Sequence, residues 1–459
     1  MVLDKCGLSA YSLRVNVGLN FLSPADVFAV NAREHGVAGD GTTDVTAVLQ
    51  GLLHLRAAQG GGTVLLPAGR YLCSGPLTLP VGVTLAGVAQ ATPRVSEVNQ
   101  GSVMLITGGK GDAAETPFIE MHSNSVLRGL VFFYPEQTAT NPPIPYPWTV
   151  ASAGGDNMSI IDCLMINPYQ AVDFGSRASG RHFIRNLSAQ VLHRGIYVDR
   201  CYDVGRIENV HLWPFWTGGL EEPIAKYAFE HGQGFIFGRT DWEIVTNCFV
   251  INMSQGFRFA RHSPPDISRN AADGPNDLAG NVMITGGGPD ICKIGVHVEQ
   301  VQAHAGISFV NCQIFGAVVV DETNTGPVRF SACGMFGSRR AYEGTAQGRL
   351  AGNGRVSFAQ CHFFVIDPDN DGPALLHVLG GRVAVQNCSF ANSPRAVVAD
   401  IVPGREQEPG VINPVPIVLE PGVRAALITG NEFYGGPGVV NRSQGNVVIA
   451  NNLEQTDEI

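Results

Sequence analysis

The chain has 459 residues, 44% of them hydrophobic and 15% charged, enough apolar sequence to bury a sizeable core. A formal charge of −10, with four lysines and no basic run, argues against nucleic acid or an anionic membrane as partner, and no apolar run is long enough for a transmembrane helix. The 56 glycines and 28 prolines suit a turn-rich all-β chain.

Residues 1–27 read as an irregular lead-in, without the uninterrupted apolar stretch and small-residue cleavage site of a signal peptide. Residues 28–90 carry the most specific local signal. There GDGTTD offers turn glycines and an N-cap, Thr43 or Asp44, for a helix reading VTAVLQGLLHLRAAQ that stops at Gly60–Gly62, followed by the strand TVLLPAGRYLCS. An amphipathic helix in this place would cover the open end of a stacked-coil core. Residues 91–150 read as early coils with a proline-rich excursion, FFYPEQTATNPPIPYPW.

From Asn157 to Asn451 one short pattern returns: SIIDCLM, FIRNLSA, RIENVHL, EIVTNCFV, ISFVNCQIF, VRFSACGMF, VSFAQCHFF, VAVQNCSF, ALITGNEF and VVIANN. Each is an apolar alternation running into a polar residue, a small residue and another apolar one. Aligning the polar position puts Asp162, Asn186, Asn209, Asn247, Asn311, Ala332, Gln360 and Asn387 in one column, with steps of 24, 23, 38, 64, 21, 28 and 27 residues. The step of 64 hides an extra coil near Val282–Thr285. The next column holds Cys163, Cys248, Cys312, Cys333, Cys361 and Cys388, expected to stack as small buried residues and not as disulfides. The polar column is expected to be a structural ladder of amides.

A chain that returns to the same strand position without a long helix between strands cannot be a doubly wound sheet, whose parallel neighbours need a crossover helix. The fold expected is all-β: a single right-handed parallel β-helix with an N-terminal capping helix, one domain over 1–459, with main coils over 91–400 and final coils and tail over 401–459.

The stretches AREHGVAGDGTTDVTAVLQ and GGGTVLLPAGRY resemble the N-terminal cap and first coil of the pectin-lyase-like β-helix superfamily, in its polygalacturonase and rhamnogalacturonase-related glycoside hydrolase branch. Some phage tailspikes open in a similar way. The resemblance implies a carbohydrate-active protein acting on a poly- or oligosaccharide, and a secreted or periplasmic location. The polygalacturonase motifs Asn-Thr-Asp, Asp-Asp, Gly-His-Gly and Arg-Ile-Lys are absent from this sequence, so no catalytic residue of that family transfers.

The site must then come from the coils. A second strand follows each ladder motif: AVDFG (171–175), GIYVD (195–199), GFRFA (256–260), GVHVE (295–299) and AVVVD (317–321). Period two turns the second and fourth residues inward. The third, outward position reads Asp173, Tyr197, Arg258, His297, Val319; the fifth reads Gly175, Asp199, Ala260, Glu299, Asp321. Glycoside hydrolysis needs one carboxylic acid and one carboxylate, about 5 Å apart for retention and about 6.5–9.5 Å for inversion. Asp173 and Asp199, one coil and two residues apart, fall at roughly 8 Å, which suits an inverting acid/base pair, with Glu299 a third carboxylate. Tyr197, Arg258, His297 and Asp321, together with Trp213 and Trp216 from a bulged coil and Trp242, are the candidate substrate contacts.

The competing readings are a polysaccharide lyase, which needs a base and a charge neutraliser such as Arg258 and His297, and a non-catalytic tailspike-like glycan binder. No cofactor is called for, and no metal-ligand spacing is recognisable: His182, His193 and His211 are dispersed, and DPDNDG (367–372) lacks the bidentate ligand of a calcium loop at its twelfth position, Val378. The turn-rich stretch 263–281 is expected to run as a long excursion beside the groove.

Overall fold

The structure, a computed structural model, describes residues 29–88, 100–217, 219–261, 280–336, 348–365, 374–392, 415–434 and 437–455. The lead-in, most of the 263–281 stretch and the DPDNDG segment lie outside these residues. Within them the coils stack as a right-handed parallel β-helix: 33 strands join in one sheet, six in a second and two in a small pair. One inward column runs Val30, Val64, Leu85, Leu127, Ile160, Ile184, Ile207, Val245, Ile284, Phe309, Phe330, Phe358, Val385 and Ile428, each in register with the next. Its phenylalanines stack, with ring centroids 5.2 Å apart for Phe309 and Phe330 and 5.0 Å for Phe330 and Phe358. Apolar burial along this column, and not local propensity, fixes the register.

The polar column has a backbone cause. All eight of its residues sit in the left-handed region, with φ between 51° and 55°. The chain turns a corner there, and Asn and Asp tolerate that conformation best after glycine. Their side chains then bond from coil to coil, as Asn186 Nδ2 does to Asp162 Oδ1 and Asn209 Nδ2 to Asn186 Oδ1, each at 2.8 Å. The expected extra coil is present as strand Val282–Asp290, and Gly286, at φ 70°, takes its corner. The cysteine that follows six of these eight corners is buried and free, and its Sγ reaches the carbonyl two residues back, on the far side of the corner: Cys163 to Ile161 at 3.3 Å, Cys312 to Val310 at 3.4 Å, Cys388 to Gln386 at 3.4 Å.

The cap follows the sequence with a shift of one residue. The helix, α1, spans Thr46–Ala58 with Val45, not Thr43 or Asp44, at its N-cap position; Asp44, one residue before, accepts from Thr46 N (3.0 Å) and the Thr46 hydroxyl (2.6 Å). The Ser74 hydroxyl donates to the same carboxylate, and these bonds hold the Asp44 pKa down at about 2. Leu49, Leu52 and Leu53 of α1 are buried in the main core, which closes the first coil. A second helix, α2 (Pro223–His231), was not expected. It interrupts the coil after Asn209 and buries Ile224, Ala225 and Ala228.

Candidate active site

Six consecutive strands carry the outward face of interest: β1 (Gln170–Phe174), β2 (Arg194–Val198), β3 (Gln233–Phe237), β4 (Gln255–Phe259), β5 (Ile294–Val298) and β6 (Ala317–Val320). Five were aligned from sequence; β3, reading QGFIF, was missed because its outward residue is itself apolar and it follows a helical excursion. The third-position column is Asp173, Tyr197, Ile236, Arg258, His297, Val319, in unbroken register. Beyond the strand ends follow Asp199, Gly238, Ala260, Glu299 and Asp321. The extra strand separates Asp173, Tyr197 and Asp199 from the charged residues on β4–β6.

The first group is closed off. Asp173 is 4% exposed, Tyr197 0% and Asp199 1%. Asp173 Oδ1 accepts from Gly175 N (2.9 Å) and Ser176 N (2.8 Å), and burial pushes its pKa up against the opposing effect of these bonds and of Arg200. Asp199 Oδ1 accepts from Arg200 N (2.8 Å) and Arg239 N (2.7 Å), and its Oδ2 from the Tyr197 hydroxyl (2.9 Å). The Tyr197 ring stacks on Trp148, centroids 6.5 Å apart, within an outward apolar cluster that includes Ile236 and Ala260. The accessible carboxylate face expected around Asp173 and Asp199 is therefore absent: once the apolar neighbours bury these residues, backbone N–H groups satisfy them.

The second group keeps contact with solvent. Arg258 Nε donates to Glu299 Oε1 at 2.7 Å, with side chains 15% and 17% exposed, and Arg261 N donates to Glu299 Oε2 at 2.9 Å. One turn of the helix on, His297 Nε2 lies 3.1 Å from Asp321 Oδ2, and its Nδ1 lies 3.1 Å from Gln255 Nε2. Asp321 is the most open of the four carboxylates, its side chain 35% exposed. Val298 pairs with Val320, so Glu299 and Asp321 leave adjacent coils at the same height.

Just beyond β2 and β3 a pocket of about 570 Å³ opens, lined among others by Tyr202, Arg239, Asp241, Trp242, Asn281 and His304. Trp242 and Tyr202 are large and about half exposed, and the Arg239 guanidinium lies 5.3 Å over the Tyr202 ring. Asp199 links the two places, since it holds the backbone N–H of Arg239. Of these residues sequence reasoning had only Trp242; the others carry no spacing signal.

Trp213 and Trp216 belong elsewhere. Trp213 follows strand His211–Leu212, stacks on His211 (4.9 Å) and tilts on Phe215 (5.6 Å), and both tryptophans pack over Val103, Leu105, Val131, Leu164 and Ile166 on a neighbouring sheet face. They cover outward apolar residues there, which corrects their placement as substrate contacts on the carboxylate face. His193 stacks on Tyr169, and burial lowers the His211 pKa. Contrary to the dispersed appearance of the histidines, His182 converges with Cys201 and Glu243 in the interior, the group of metal-ligating side chains found among the described residues.

Residues 29–201 match the family described as "Rhamnogalacturonase A/epimerase, pectate lyase-like". Over 107 residues the chain is 36% identical to mannuronan C5-epimerase AlgE6 of Azotobacter vinelandii, a stretch that is 22% of this chain and 12% of that protein, so the chain matches only a small part of this relative's length. Among solved structures, an exopolygalacturonase from Thermotoga maritima is similar with a TM-score of 0.38 at 10% identity, over 94% of this chain and 92% of that one. The tailspike protein of E. coli bacteriophage HK620 gives 0.48 at 11% identity, over 97% and 82%.

Proposed function

We propose, from a pectin-lyase-like β-helix whose residues 29–201 carry a rhamnogalacturonase A/epimerase signature, that the protein is a carbohydrate-active enzyme hydrolysing glycosidic bonds in a poly- or oligosaccharide. The observation that carries this reading is the pair Glu299 and Asp321: two part-exposed carboxylates on adjacent coils of one outward face, each with a different partner. Arg258 and the Arg261 N–H compensate the charge of Glu299, which suits it to act as the carboxylate that attacks or activates water. Asp321 touches His297, a side chain able to return a proton, which suits it to protonate the leaving oxygen. Coils stack at about 4.8 Å, nearer the separation of a retaining pair than of an inverting one. Asp173 and Asp199 act in this reading as positioning groups, and Trp242, Tyr202 and Arg239 form the subsite for a neighbouring sugar.

A second reading has one observation in its favour. The His297–Asp321 contact beside Arg258 is also the equipment for abstracting a proton next to a uronate carboxylate, the first step of lyase or C5-epimerase chemistry, and the AlgE6 similarity points the same way. A glycan panel containing neutral, galacturonate, rhamnogalacturonate and mannuronate polymers separates the two. New reducing ends without ultraviolet-absorbing product mean hydrolysis; an unsaturated uronate means elimination; deuterium entering C5 from heavy water without chain cleavage means epimerisation. Binding without turnover on any polymer would sink both readings and leave a glycan-binding protein.

A further inference from the structure

We propose that His182, Cys201 and Glu243 form a divalent transition-metal site, best suited to Zn²⁺, inside the β-helix beneath the Tyr202–Trp242 pocket. The three residues come from different coils, yet their ligand atoms lie within 4.8 Å of one another, and all three side chains are buried. Nitrogen, sulfur and carboxylate oxygen in one small cluster are the donor types that zinc accepts together.

The cluster is incompletely satisfied without a cation. His182 Nε2 and Glu243 Oε1 are 2.9 Å apart with both side chains 0% exposed, and the Cys201 thiol lies against the same imidazole, but Glu243 Oε2 has no hydrogen-bond partner. A buried carboxylate oxygen without a donor is costly. Gly205 on the neighbouring strand lets the cluster pack against the main chain: a Cβ there would overlap Glu243 Oε2 and come within 2.5 Å of His182 Cε1, so the two side chains are held close together. The Cys201 thiol donates to the Asp203 carbonyl oxygen at 3.0 Å, a bond it gives up when the thiol proton is replaced by a cation.

Charge agrees with a dication. One thiolate and one carboxylate cancel a 2+ ion, so the loaded site is neutral in a place where a net charge would be expensive. On binding, the cation replaces the Cys201 thiol proton and the proton between His182 Nε2 and Glu243; both protons leave to solvent and no electron moves. The alternation of the strands does the rest. Tyr202 and Trp242 point out into the pocket while their neighbours Cys201 and Glu243 point in, so a metal would fasten strands Cys201–Glu208 and Thr240–Ile251 directly under the aromatic wall.

The test uses the full chain. It is refolded with excess Co²⁺ and, separately, with Zn²⁺, and desalted; bound metal is counted by mass spectrometry, and the cobalt form is read by absorbance. The expected result is one equivalent of either metal, a thiolate-to-cobalt charge-transfer band, and intense visible bands of a four-coordinate ion. Cys201→Ser should remove the charge-transfer band, and Glu243→Gln should cut retained metal at least tenfold. Wild-type protein that folds but holds no metal overturns the proposal and leaves a buried His–Glu pair. Equal metal in wild type and Cys201→Ser, without the charge-transfer band in either, overturns it as well, by showing surface binding. Because the wild-type measurement decides first, a variant that fails to fold does not rescue the idea.

Discussion

Two halves of one strand column meet opposite fates. On β1 and just beyond β2 the carboxylates Asp173 and Asp199 are buried and bond chiefly to backbone N–H groups, with the Tyr197 hydroxyl on Asp199, whereas beyond β5 and β6 Glu299 and Asp321 stay part-exposed and meet the side chains of Arg258 and His297, with the Arg261 N–H on Glu299. Register is the same in both; what differs is the neighbour. Trp148, Ile236 and Ala260 enclose the first half and force its polar groups onto the main chain, while the second half has charged side chains that compensate one another and leave oxygen atoms near solvent. A carboxylate committed to main-chain amides holds shape, and one shared with a titratable side chain has somewhere to send a proton.

The comparison breaks if activity follows the wrong half. Glu299→Gln and Asp321→Asn should each lower kcat by about 10² to 10⁴ with folding intact, the range expected for loss of an acid or base, measured by steady-state kinetics and circular dichroism. Asp199→Ala should remove the carboxylate that accepts from Arg200 N, Arg239 N and the Tyr197 hydroxyl and cost about 3 kcal/mol in chemical denaturation. Through Arg239 it should also raise KM, but kcat per folded molecule should stay within a few-fold; a thousandfold loss would return Asp199 to the chemistry. Trp242→Ala, acting on binding alone, should raise KM about tenfold and leave kcat in place.

The smallest effect sharpens the comparison most. Asn at position 173 still offers an oxygen to Gly175 N and Ser176 N, so Asp173→Asn should shift stability by less than about 1 kcal/mol. Its signature is in the pH dependence. The folded pKa of Asp173 is raised, so its contribution is present below the unfolded carboxylate value and is lost as pH rises through the folded one. Denaturation midpoints of wild type should therefore fall relative to Asp173→Asn as pH climbs out of the acid range; parallel curves would mean that folding does not shift this carboxyl, and a relative rise that it is stabilised as an anion.

The fold was legible because each coil repeats a local necessity. A residue that tolerates φ near 53° at the corner, a small thiol after it and a branched or aromatic residue before it are visible letter by letter, even where Ala332 or Gln360 replaces asparagine. The outward face was legible in register, since period two survives five of six strands. It was not legible in exposure: nothing in AVDFG or GIYVD says that Trp148, 25 residues before Asp173 and far from Ile236 in sequence, will roof them. Strand β3 hid because GFIF has no polar letter at its outward place. The interior cluster hid for a related reason, since His182 and Glu243 are 61 residues apart and meet only because coils of unequal length are stacked.

The cysteines that steady the corners have a practical corollary. Buried free thiols occur at Cys73, Cys163, Cys201, Cys248, Cys292, Cys312, Cys333, Cys361 and Cys388, nearly one to each segment of the rod from the cap to its far end. Burial pushes those at 73, 163, 248 and 292 up to about 12, so in the folded chain they are poor nucleophiles as well as sheltered ones. A rod opened from either end gives up its thiols in sequence. The molecule thus carries its own graduated scale, and a pulse of alkylating reagent during unfolding, followed by mapping of the labelled peptides, reads off which coils have come apart and in what order.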